Sequence, residues 1–461
     1  MSIIKAYTLP HPPLAVPAVG RGKEKEIPET IAAYEEAAKD IAQIKPETII
    51  YITPHSILYS DYFHISPGAS AKGDLGRFGA YDTTFEADYD EELAFEIERV
   101  AELSEMPAGT QGERDKNLDH GVTVPMWYIN KYYKDYKAIR VSQSGLSSAD
   151  HYLFGQVIAK AIENIGRRVV VIASSDLSHK LKTGGPYDYA PEGALFDEAV
   201  KSALRDGDFL ALLKIPEDLK ESAGECGYNS LTIMAGLFDC IDVEAKLLSY
   251  EGIFGVGYLI LSILPLSPNP LQDRLKQFLE FTLQETDKIR NLEDDYQKLA
   301  RSSLEHIIKT GNKLPVPNGL PAEMQSKRAG VFVSLHKNGT LRGCIGTIAP
   351  STNSVAQEII QNAISAGLSD SRFPQVCEDE LPYLTYKVDV LFAPEKINSP
   401  AELDVKKYGV IVTSGMRRGL LLPNLDGVDT IEEQISIAKN KAGISKNEEV
   451  RLERFEVIRH G

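Results

Sequence analysis

The first half of the chain alternates short apolar runs with longer stretches in which apolar residues recur every three or four positions and charge fills the opposite face. The runs Ile3 to Tyr7, Thr48 to Ile52, Ala138 to Ser142, Val169 to Ala173 and Ala245 to Tyr250 read as strands. Between them, Thr30 to Ile44, Glu91 to Leu103, His151 to Ile165 and Glu192 to Leu213 read as amphipathic helices. This alternation predicts an α/β unit, a mostly parallel sheet covered by helices. The most apolar run, Ile253 to Leu266, contains Gly255, Gly257 and Pro265 and falls short of a bilayer span, so it reads as buried strand.

Pro265-Leu-Ser-Pro-Asn-Pro-Leu271 then places three prolines where regular structure must break, and a domain junction is expected there, separating residues 1–268 from 272–461. Beyond it, Leu271 to Lys309 is strongly charged and helical in pattern, with heptad-like apolar spacing from Tyr296 to Ile308. Val331 to Leu335, Tyr386 to Phe392 and Val410 to Thr413 read as strands and Ser354 to Ala366 as a helix, which predicts a second, smaller α+β unit.

Composition narrows the classes. A chain of 461 residues is too long for one core. The net charge of -16 makes the surface repel phosphate backbones and anionic lipid, so neither nucleic acid nor a membrane is an expected partner. Cys226, Cys240, Cys344 and Cys377 form no CxxC pair, which argues against a disulfide framework and a zinc ribbon and fits a cytoplasmic protein. The amino terminus is broken early by Pro10 and has no small-residue cleavage site, so it reads as the first strand instead of a secretory signal.

The candidate chemistry lies just after the predicted strands. His11 follows the first and His55 the second, so both imidazoles can meet above one sheet edge. Glu225, before a helix expected from Ser230 to Phe238, reads either as that helix's cap or as a third ligand. Two histidines and one carboxylate on one face leave coordination positions open, which suits ferrous iron in oxygen chemistry better than a closed zinc site. Cys226, next to Glu225, reads by its residue type as a plain buried cysteine.

His120, at the start of a helix through Trp127, reads as a capping or a functional residue. Asp176, three residues before His179, either orients that ring or caps the turn. His64 and the apparently surface-facing His151 read as structural or solvated, and Tyr187 and Tyr189 either line a substrate mouth or pack locally.

Five ordered blocks carry a resemblance: Pro10-His-Pro-Pro-Leu14, Thr53-Pro-His-Ser56, Leu118-Asp-His-Gly-Val-Thr-Val-Pro-Met126, Ser175-Asp-Leu-Ser-His179 and Gly224-Glu-Cys-Gly227. Through them the first part resembles the LigB-like class III extradiol dioxygenases. That resemblance implies Fe(II) held by His11, His55 and Glu225, with His179 as acid/base near dioxygen and His120 contacting a hydroxyl of a small catechol-like or phenolic substrate. The related Memo family, similar in fold, implies a cysteine at the metal pocket instead, and here Cys226 would be that residue.

Leu341-Arg-Gly-Cys-Ile-Gly346 and Asp370-Ser-Arg-Phe-Pro374 resemble the AMMECR family. Cys344, beside Arg342, reads as a small thiol packed in a tight turn or as a nucleophile whose thiolate a cation stabilises. A LigB-like domain joined to an AMMECR-like one also resembles proteins associated with radical-SAM partners. This implies an alternative without ring cleavage, a metal-binding component of a protein or peptide modification system, with a protein tyrosine as substrate. The resemblance of the first part to LigB-like domains implies a homodimer.

Overall fold

In the computed structural model, which describes residues 2–425 and 427–461, the apolar runs of the first half form one six-stranded sheet. Its strands are β1 (Ile3–Leu9), β2 (Thr48–Thr53), β3 (Lys137–Ser142), β4 (Val169–Ser174), β5 (Ile241–Glu251) and β6 (Tyr258–Pro268), in the spatial order β3-β2-β4-β1-β6-β5. The first four are mutually parallel, and β6 and β5 close one side antiparallel. Every residue of β2 and β4 is buried, as expected of central parallel strands covered on both faces.

Six helices supply the cover: α1 (Pro28–Ile44), α2 (Glu91–Leu103), α3 (His120–Ile129), α4 (Ser148–Ile165), α5 (Pro191–Arg205) and α6 (Tyr228–Gly236). Helix α1 packs on α3 over Ile49, Tyr51, Val170 and Ile172. The alternate residues Ile50, Ile52, Val171 and Ala173 are equally buried beneath a second layer, in which α4 packs on α2 and α6.

The differences from the sequence pattern have local causes. The helical stretch from Glu192 to Leu213 is two helices, because Gly207 turns the chain with positive φ and Asp208 caps a new start through the N–H of Ala211. Leu271 to Lys309 is likewise two helices, α7 (Arg274–Asn291) and α8 (Asp295–Thr310), since Asp294 and Gln297 form a capping box. The apolar run at Ile253 begins with a turn, and its strand starts only at Tyr258. His151 is not on a surface: it is fully buried, its Nδ1 paired with the Ser147 carbonyl at 2.9 Å and its Nε2 accepting from the Ser144 N–H. A hairpin of Ser70–Leu75 and Ala80–Asp88 had no counterpart in the sequence reading.

Two compact units result, Met1–Glu280 and Phe281–Gly461, and the division falls inside α7, beyond the proline-rich segment. In the second unit, β7 (Gly330–Lys337), β8 (Thr340–Gly346) and β9 (Leu384–Leu391) join Val457–His460 in an antiparallel sheet. Helix α9 (Val355–Leu368) packs on that sheet and on α8. A further antiparallel sheet of Glu395–Ile397, Arg451–Phe455, Gly409–Ser414 and Arg417–Leu421 carries the helix Ile431–Lys441. Among the described residues no helix is long and apolar enough to cross a membrane.

Candidate metal centre

Strands β2, β4 and β1 lie side by side and parallel, with Leu9 level with Ser174 and Ile52 level with Ala173, so their carboxyl ends run out at one edge. His11 and His55 each lie two residues past a strand end, and the segment from Ser175 to His179 leaves β4 at the same edge. Helix α3 starts at His120 and α6 starts just after Cys226. Residues distant in sequence therefore meet on one rim.

The convergence is tight. His11, only 2% exposed, places Nε2 at 2.9 Å from His55 Nε2 and 3.5 Å from Cys226 Sγ. The donor atoms of these three residues all lie within 4.8 Å of one another. The backbone N–H of His11 donates to Asp176 Oδ1 at 2.8 Å, and Asp176 Oδ2 lies 3.8 Å from His11 Nε2. The His120 ring stacks on His55 with centroids 4.1 Å apart, while Phe78, from the tip of the hairpin, meets His120 edge-on at 5.3 Å. Half-exposed Tyr187 stacks on His179 at 5.1 Å.

Burial dominates the electrostatics. It lowers the His11 and His55 pKa values, and the other three imidazoles lower that of His11 further. His120 is brought down to about 3 by burial, His55 and Arg77, and His179 to about 4 by burial and His55. At neutral pH the cluster thus presents uncharged nitrogen lone pairs, the form that ligates metals. Burial also pushes Asp176 up to about 7 and raises the Cys226 thiol, with Asp176 and Glu225 adding to the latter effect. Two imidazoles and a thiol in a desolvated pocket fit a first-row transition metal, whose charge would deprotonate the thiol.

The structure separates the expected residues into those it gathers and those it does not. His11, His55, His120 and His179 all reach the rim. Glu225 does not join the donor group: its Oε2 accepts the Tyr228 N–H at 2.6 Å at the start of α6, while Cys226 turns toward the histidines. Asp176 binds the backbone of His11 and makes no hydrogen bond to His179. Sequence reasoning missed Ser174, whose Oγ lies 2.9 Å from His11 Nδ1; its only signal is its place as the last residue of β4. His64 is buried in β3's neighbourhood through a bond from its N–H to Ser142 Oγ, and is structural.

In the second unit, Cys344 Sγ accepts from Ser334 Oγ across the β7–β8 pair at 3.2 Å, and its N–H donates to Asp370 Oδ2. Arg372 binds both Asp370 and the Cys344 carbonyl, which ties the two motifs together. His336 forms no hydrogen bond to Cys344, so the geometry supplies the thiol with no base from that residue.

Fold and rim together define an α/β domain with a histidine and cysteine donor cluster at the carboxyl edge of its sheet. The chain belongs to the family described as the catalytic LigB subunit of aromatic ring-opening dioxygenase, matched over residues 5–261, and continues into an AMMECR1 domain over residues 297–460. A protein of Clostridium acetobutylicum is 42% identical over 468 aligned residues, covering 100% of this chain and 99% of its own. A Thermotoga maritima protein is 48% identical over 170 residues, 36% of this chain and 98% of its own. A crystal structure of a Pyrococcus horikoshii protein shares 32% identity over 36% of this chain and 88% of its own, with a TM-score of 0.34.

Proposed function

We propose that the chain is a non-heme Fe(II)-dependent oxidoreductase of the extradiol dioxygenase type, acting on a catechol-like or phenolic substrate. The observation that carries this reading is the convergence of His11 Nε2, His55 Nε2 and Cys226 Sγ at one sheet edge. These three would hold the metal, with the Asp176 carboxylate beside them. Bound there, ferrous iron would supply the redox link between a chelated diol and dioxygen.

The chain's own groups do the rest. His120 and His179, neutral at physiological pH, offer a free ring nitrogen to substrate hydroxyls, His120 as a hydrogen-bond partner and His179 as the acid/base group. Phe78 meets His120 edge-on and Tyr187 stacks on His179, each covering one side of its partner ring. Asp176 holds the His11 backbone in place.

Oxygen uptake by anaerobically iron-loaded protein across a catechol panel tests this, with a yellow ring-fission product expected. A second reading, a metal-binding component of a radical-SAM-associated modification system acting on a protein tyrosine, is favoured by one feature. The third donor is a thiol where the dioxygenase pattern implies a carboxylate. No oxygen uptake at stoichiometric Fe(II) would leave that second reading.

A further inference from the structure

We infer that Ser174 is a positioning residue that fixes the tautomer of His11 and so presents His11 Nε2 as a metal donor; this rests on the metal centre proposed above. The cause lies in α3. In a helix the carbonyl of Gly121 would accept the N–H of residue 125, but that residue is Pro125 and has none. A buried carbonyl without its donor is costly, and Ser174 Oγ supplies the replacement at 2.6 Å.

A hydroxyl has one proton. With that proton directed at a carbonyl that can only accept, Ser174 Oγ can meet His11 Nδ1, 2.9 Å away, only as an acceptor. His11 Nδ1 therefore carries the hydrogen, and the lone pair sits on Nε2, the atom that faces His55 Nε2 and Cys226 Sγ. Gly121 makes the arrangement possible: a Cβ there would lie 2.2 Å from Thr53 Oγ1 and 3.2 Å from Ser174 Oγ. Pro125, Gly121, Ser174 and His11 thus form one chain of consequences from a helix defect to a ligand's protonation.

The test combines ¹⁵N NMR of the His11 ring in the full-length, metal-free protein with Fe(II) affinity, measured anaerobically by competition with a chromophoric chelator. The wild type is expected to show the Nδ1–H form. Ser174→Ala should populate the other tautomer and weaken Fe(II) binding by about 10- to 100-fold, Ser174→Thr should restore both, and Pro125→Ala, which returns an N–H to the helix, should loosen the tautomer preference without touching the pocket. An Nδ1–H form and Fe(II) affinity unchanged in folded Ser174→Ala would overturn the inference. A wild-type protein that shows the Nδ1–H form but binds no Fe(II) would overturn the metal centre alone, whereas one that binds Fe(II) without the Nδ1–H form would overturn the inference alone.

Discussion

Glu225 and Cys226 are adjacent, yet the structure gives them different work, and alanine substitutions separate the two. In Glu225→Ala the Tyr228 N–H at the α6 N-terminus loses its acceptor, a hydrogen bond worth about 1 to 2 kcal/mol. Burial raises this carboxyl to about 7, so removing it also relieves a desolvation cost and favours the lower figure. At roughly 2–4 °C per kcal/mol for a unit of this size, the melting temperature should fall by about 2–4 °C. Iron content should not change. Cys226→Ala removes a small half-buried thiol at little cost in stability, but it deletes one of the three converging donors. Loss of a ligand should exceed the roughly 10- to 100-fold effect of losing a residue that only orients one. Elemental analysis after anaerobic Fe(II) loading and desalting, run beside thermal unfolding, reads both quantities. Full iron in Cys226→Ala together with iron loss in Glu225→Ala would refute the assignment.

Three further predictions concern the scaffold. Arg140 is 2% exposed and bonds Ser66, Glu113 and the carbonyls of Asn117 and Asp115, so Arg140→Met should cost about 3–5 kcal/mol by leaving Glu113 and Asp119 buried without their cation, measurable by denaturant unfolding. His64 has no hydrogen-bond partner on either ring nitrogen among the described residues, and burial lowers its pKa to about 4. Its folded pKa lies below the unfolded value, so its neutral form supports stability above pH ~6.5 and that support is lost as pH falls toward 4. His64→Leu should therefore gain stability over the wild type progressively through that window, and a pH-independent difference in melting temperature would contradict it. In the second unit, a Cβ at Gly343 would lie 2.2 Å from the Ala366 carbonyl of α9, so Gly343→Ala should destabilise by about 1–3 kcal/mol, whereas Cys344→Ser should leave thermal stability near wild type.

Much of the architecture was legible because its signals are local. A central parallel strand is covered on both faces and so reads as an apolar run, and β2 and β4 do, with Thr48, Thr53 and Ser174 as polar residues at their ends; an amphipathic helix must repeat every three or four residues, and α1 and α2 do. The same locality placed His11 and His55 on one rim, since a residue two positions past a parallel strand can face only that edge. Helix boundaries escaped where a side-chain cap at Asp208 or Asp294 interrupts a continuous apolar pattern, because capping depends on backbone direction and not on hydropathy.

The rest required the packed molecule. Periodicity makes His151 look like a surface residue at the start of a helix, and only the neighbouring Phe63 and the loop at Ser144 bury it. Phe78 reaches His120 because a hairpin that the pattern did not signal folds over the rim. Whether Glu225 or Cys226 faces the histidines is a matter of one residue in a loop, and in the packed molecule the Tyr228 N–H at the start of α6 holds the Glu225 carboxylate while Cys226 faces the histidines. Ser174 is the clearest case. Nothing local marks a serine at a strand end as the partner of a histidine 163 residues away, and its role exists only because Pro125, on a different element, leaves one carbonyl without a donor.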